Sequence, residues 1–167
     1  MEHTLTIAQN WDGTPVSEMA SVKLTKKARR LEVNVVARFY DDPPPPGDAG
    51  QQDELWKYEV VELFIAGADD KYIEIELGPH GHHLVLTFKG VRQREYIVPR
   101  VKTEVRIDGG IWVGTIRIPA NRLPKPPWRV NAFAIHGEGK EREYLAHRGM
   151  PGEQPDFHRL ESFVALT

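Results

Sequence analysis

Trp56, Tyr58, Glu62, Tyr72, Glu74, Glu76 and His83 have the residue types and spacing of a binding surface. They fall in WKYEVVELFIAGADDKYIEIELGPHGHHLVLTF, residues 56–88, which reads as three strands joined by short turns. Successive strand residues point to opposite faces, so one face collects these seven residues with Val60, Phe64, Val85 and Thr87. The other collects Val61, Leu63, Ile65, Ile73, Ile75, Leu77, Leu84, Leu86 and Phe88, enough to seal a core. Aromatic rings take the C–H face of a sugar and carboxylates accept its hydroxyls. The expected chemistry is therefore non-catalytic binding of a carbohydrate or similar small polyhydroxylated ligand on a sheet face open to water. The competing reading has Tyr58 and Phe64 packed under a loop and the glutamates merely hydrated.

A second group is Pro79-His80-Gly81-His82-His83. Three imidazoles in four residues could coordinate a divalent metal if His136 or His158 came alongside, and the alternative function is a metal-dependent enzyme on that cluster. A tight turn makes such side chains diverge. His136 with Glu138, and Asp156 with His158, could orient a general base. No Gly-x-Ser-x-Gly elbow supplies a nucleophile, so a buried histidine pinning the C-terminal strand is the expectation. Glu74 and Glu76 lie on one strand, where two acids flank no bond between them. Asp41, Asp42, Asp48, Asp53 and Glu54 offer hard oxygens without the spacing of a dedicated calcium loop. No catalytic residue or cofactor is assigned, and a protein-interaction scaffold is the third reading.

The elements that must position these residues are almost all strands. Residues 4–7, 21–25 and 31–39 precede the central meander; 90–98 follows it as a polar edge strand. Residues 101–107 and 111–118 form a hairpin across Asp108-Gly109-Gly110. Residues 119–124 allow one helical turn, 128–136 is a strand that 141–146 can pair with, and the chain ends in a strand at 160–166. Four consecutive prolines, Pro43 to Pro46, cannot continue a sheet, so 41–55 is a stiff loop whose stretch 41–54 is expected to act as a lid. Many short strands with turn signals between them predict an all-β, antiparallel two-sheet β-sandwich, a single domain over residues 1–167.

Composition narrows the partners. A formal net charge of −2 argues against a nucleic-acid binder, and the basic run Lys26–Arg30 reads as a solvated turn. The chain has no cysteine, so thiolate chemistry and disulfides are excluded. No apolar run approaches the roughly 18 residues of a membrane span, and MEHTLTIAQNWDG lacks a signal-peptide pattern; a cytoplasmic protein is the expectation.

WKYEVVELF, ELGPHGHHLVL, NAFAIHG and PDFHRLESF, in this order, resemble the signature of an uncharacterised protein family with bacterial and vertebrate members. That family has no established activity, so the resemblance implies no catalytic residues. More remotely, Val61-Glu62-Leu63-Phe64, Ile116-Arg117-Ile118-Pro119 with Leu123, and Trp128 with Asn131 are similar to family-nine carbohydrate-binding modules and DOMON-like sandwiches. This implies a jelly-roll-like fold and sugar binding. The paired sugar-stacking tryptophans of those modules map to no particular residues here.

Overall fold

The structure, a computed structural model, describes residues 1–166. Its strands are β1 (Glu2–Asn10), β2 (Pro15–Lys26), β3 (Arg30–Arg38), β4 (Val60–Ala66), β5 (Tyr72–Leu77) and β6 (His83–Phe88). They continue as β7 (Arg94–Ile97), β8 (Lys102–Asp108), β9 (Ile111–Pro119), β10 (Arg129–His136), β11 (Glu143–Ala146) and β12 (Val164–Ala165). Single 3-10 turns are the only helical elements among the described residues, one of them at Ala120–Arg122 as the sequence suggests.

The strands pair antiparallel in one continuous path, β7-β6-β5-β4-β10-β11-β1-β2-β3-β9-β8, with β12 added to β10. This sheet curls on itself, so that β6-β5-β4-β10 lies against β1-β2-β3-β9 and short β11 turns the corner between them. The result is the expected β-sandwich. Leu5, Ile7, Val22, Leu24, Leu31, Val33 and Val35 meet Val61, Leu63, Ile65, Ile73 and Ile75 in a single buried cluster. Each such side chain contributes about 1.5–3 kcal/mol by leaving water. The halves approach closely: a Cβ on Gly114 of β9 would lie 2.6 Å from Leu77 Cδ2 of β5.

A second, smaller core covers the opposite face of β4, β5, β6 and β10. Phe64, Tyr72, Leu86, Phe88 and Phe133 pack there with Leu55, Met150, Leu160 and Phe163 from outside the sheet. These four strands are thus buried on both faces, and β4 and β5 are buried at every position. Such strands lose the in–out alternation that sets a register from sequence.

That loss explains one correction. Cross-strand partners are Glu76 with Leu84, Glu74 with Leu86 and Tyr72 with Phe88, so Leu84, Leu86 and Phe88 share the glutamate face. His83, Val85 and Thr87 stand opposite Leu77, Ile75 and Ile73 on the other face. Period-two alternation alone predicts the reverse phase for β6. Boundaries also move. β1 and β2 run longer than 4–7 and 21–25, and the last strand shrinks to β12, preceded by a 3-10 turn at Leu160–Ser162.

The proline loop runs beside the start of β6. His83 N–H donates to Gly50 O at 2.9 Å, Gln52 N–H donates to His83 O at 2.9 Å, and Pro45 is buried.

Candidate functional site

The face that carries the glutamates holds a cavity of about 450 Å³, within the usual size of small-molecule sites. Its floor is sheet: Glu62 and Phe64 from β4, Glu74 from β5, Leu86 and Phe88 from β6. Trp56 and Lys57, Arg92 and Arg94, and Arg142 and Tyr144 form the walls, and residues 155–158 the roof.

Register puts the acids together. Glu62 stands directly opposite Glu76, and Glu74 lies two residues before Glu76 on the same face. Their relative exposures are 1, 4 and 0 % for Glu62, Glu74 and Glu76, so the expected open, hydrated face is a covered one. Covering follows from the second core, whose rings needed burial as much as the first. One carboxyl oxygen from each of the three lies within 4.8 Å of the other two. Burial, then the neighbouring carboxyls, holds Glu62 and Glu76 well above the ordinary range. Burial pushes Glu74 up to about 7.

The basic side chains at the rim are already engaged. Arg94 makes a fork to Asp53 at 3.2 and 3.0 Å, and Arg92 donates to Asp156 Oδ1 at 2.6 Å. Arg142 donates to the carbonyls of Gly137, Trp56 and Tyr58 at 2.9, 2.6 and 3.4 Å. It thereby ties the 3-10 turn Leu55–Lys57, and Trp56 with it, to the end of β10.

The roof is pinned by a hydrogen-bond chain. Arg92 N–H donates to Tyr72 Oη at 2.9 Å, and Tyr72 Oη lies 2.7 Å from His158 Nδ1. With the hydroxyl donating to Nδ1, the proton sits on Nε2, which lies 3.9 Å from Glu74 Oε2. Burial, reinforced by Arg92, lowers His158 to about 4, so the ring is neutral near pH 7. Phe157 stacks flat on Phe133, with ring centroids 3.8 Å apart.

Of the residues singled out in the sequence, Trp56, Glu62 and Glu74 line the cavity. Glu76 lies beneath the floor, and Tyr72 is buried and committed to His158. Trp56 and Tyr58 precede β4 rather than belonging to it, and the Tyr58 ring packs against the second core without lining the cavity. His83 is on the reverse face of β6, where burial lowers its pKa.

The histidines do not converge. His80 meets the edge of Phe39, His82 is buried with Nε2 3.2 Å from Gly47 O, and His136 stacks on Tyr40 at 3.5 Å. Among the described residues the one convergent set of three potential ligand side chains is Glu62, Glu74 and Glu76. The 41–54 stretch is not the lid, because its prolines lie against Leu55, Glu59 and the Gly78–His82 turn and do not line the cavity. It reaches the site through Asp53, which holds Arg94, and Glu54, which pairs with Lys57 at 2.7 Å. Arg92, Arg94, Arg142, Tyr144 and Phe157 were not legible as site residues. The PDFH motif was the one signal for the roof, and it pointed to His158.

The sandwich belongs to the carbohydrate-binding-module-like class of all-β folds. A candidate carbohydrate-binding protein from Bacteroides uniformis superposes with a TM-score of 0.77 over 99% of this chain and 84% of its own, at 17% identity. A family-nine carbohydrate-binding module from Caldicellulosiruptor kristjanssonii, solved with cellotriose, gives 0.56 over 87% and 72%, at 13% identity. The same kind of module from that organism with glucose gives 0.55 over 85% and 74%, at 12% identity.

The chain itself belongs to the uncharacterised UPF0462 family. It is 38% identical over 173 residues to the UPF0462 protein C4orf33 homolog of Rattus norvegicus, covering 96% of this chain and 86% of the rat protein. Identity to the human UPF0462 protein C4orf33 is 37% over the same shares, and to the Danio rerio homolog 33%, with 96% and 87% covered. No protein-family model matches the chain.

Proposed function

We propose that the protein is a non-catalytic binding module whose cavity takes a carbohydrate or a similar small polyhydroxylated molecule. The observation that carries this reading is that Glu62 and Glu74 line one cavity together with Trp56, Tyr144 and Phe157. Apolar rings match a sugar's C–H face, while the carboxyls bond its hydroxyls in either protonation state. The likeness to modules solved with glucose and cellotriose supports the reading at the level of fold.

The test is calorimetric titration with glucose, cello-oligosaccharides and a glycan array, repeated on Trp56→Ala and Glu62→Gln. Each substitution is expected to weaken a true ligand by about tenfold, or roughly 1.4 kcal/mol. Glycans that bind neither protein, or that ignore both changes, count against a sugar site in this cavity.

A further inference from the structure

We propose that Glu62, Glu74 and Glu76 bind one divalent cation of calcium size at the base of the cavity. The inference goes beyond sugar binding and stands without it, because it concerns the protein's own oxygens.

The first support is geometric. Oxygens around a calcium ion sit about 2.3–2.6 Å from it, so two of them can be at most about 4.6–5.2 Å apart. One carboxylate oxygen from each glutamate falls within a sphere of that size, since all lie within 4.8 Å of one another. Magnesium demands near-ideal octahedral geometry and is usually held by one or two carboxylates with several waters, so a base of three carboxylates suits the more tolerant calcium ion better. The donor set is all oxygen, and no cysteine exists in the chain to attract a softer metal.

The second support is independent of the clustering. Glu76 is wholly buried and no other residue donates to Oε1 or Oε2, a proton shared with Glu74 being its one hydrogen bond, while Glu62 Oε1, equally buried, has no partner. Across β5–β6 Glu76 faces Leu84, which cannot donate. Arg92, Arg94 and Arg142 bond Asp156, Asp53 and backbone carbonyls, and no hydrogen bond joins them to Glu76. A proton shared between Glu74 and Glu76 joins that pair but leaves Glu62 Oε1 without a partner. A cation bound by one oxygen from each glutamate would engage all three side chains. Glu62 and Glu74 also line the cavity, so the ion has a path in and room for water ligands.

The experiment uses the full chain, stripped with chelator and free of sugar, in thermal melts and calorimetric titrations with calcium, magnesium, manganese and zinc chlorides. Calcium is expected to raise the melting temperature saturably, by about 5–10 °C at a hundredfold excess over Kd. Glu76→Gln and Glu62→Gln are each expected to weaken binding at least tenfold, whereas Glu95→Gln, exposed on β7, leaves it unchanged. Terbium, a calcium surrogate, is expected to luminesce on tryptophan excitation through Trp56 in the same cavity and to be displaced by calcium. That readout on the unaltered chain serves if a variant fails to fold. A wild-type melt and terbium signal that no calcium concentration changes overturns the proposal. So does calcium binding that survives both Glu76→Gln and Glu62→Gln, or binding of zinc alone. Loss of glycan binding has no bearing on the result, so the two readings fail separately.

Discussion

Glu62 on β4 and Glu76 on β5 are direct cross-strand neighbours, and both are shut off from solvent. Like charges placed opposite each other in a sheet repel, and burial removes the water that would screen them. In chelator, Glu76→Gln is therefore expected to stabilise the protein by about 1–3 kcal/mol, since an amide can donate to Glu62 or Glu74. The check is a melt near pH 8, where a rise of about 2–4 °C per kcal/mol is expected. A variant that melts below the wild type in chelator contradicts this account of the floor.

Glu59 sets a pH dependence away from the cavity. Burial pushes it up to about 7, aided by Asp42 and Asp41 and opposed by the Tyr40 backbone N–H that it accepts at 2.9 Å. Glu18, Arg38 and His136 surround the same spot. Between the ordinary value of 4.5 and about 7 the folded protein keeps a proton that the unfolded chain has released. Stability from this group is thus complete below 4.5, falls as pH rises through the window, and is gone above about 7. Glu59→Gln should flatten the stability profile over that window, as read by urea denaturation. An unchanged slope would place the titration elsewhere.

The Tyr72 hydroxyl joins the Arg92 backbone to His158. Tyr72→Phe keeps the stack on Phe88, whose ring lies 4.5 Å away and nearly parallel, and removes only the hydrogen bonds. A loss of about 1–3 kcal/mol is expected, together with faster amide exchange over residues 155–158. Equal exchange in both proteins would show that the roof is held by Phe157 packing alone.

Arg142 holds Trp56 in place through one planar fork, which a lysine cannot reproduce although the charge is kept. Arg142→Lys should cost about 1–2 kcal/mol and weaken any cavity ligand that contacts Trp56. Denaturation and titration with the same ligand read the two effects. Full affinity in the lysine variant would assign the positioning of Trp56 to its own packing.

Period-two patterning determined much of this protein by itself. The β1–β3 run, the hairpin at Asp108–Gly110, the β4–β5–β6 meander and the β-sandwich class follow from alternation and turn chemistry, because one face of each strand had to be apolar. The glutamates were legible for the same reason: three acids among Val, Leu and Ile positions share a phase. Tertiary structure alone decided what that phase faces. Burial on both sides erased the alternation of β6, so Leu86 and Phe88 rather than His83 stand beside the acids. The cavity's cover comes from residues 92–94, whose Arg94 pairs with β6, from 142–144, where β11 pairs with β10, and from 155–158, held by packing and the Tyr72–His158 hydrogen bond. Such contacts form between segments whose local sequence satisfies its own strand or turn, and so leave no periodic trace along the chain.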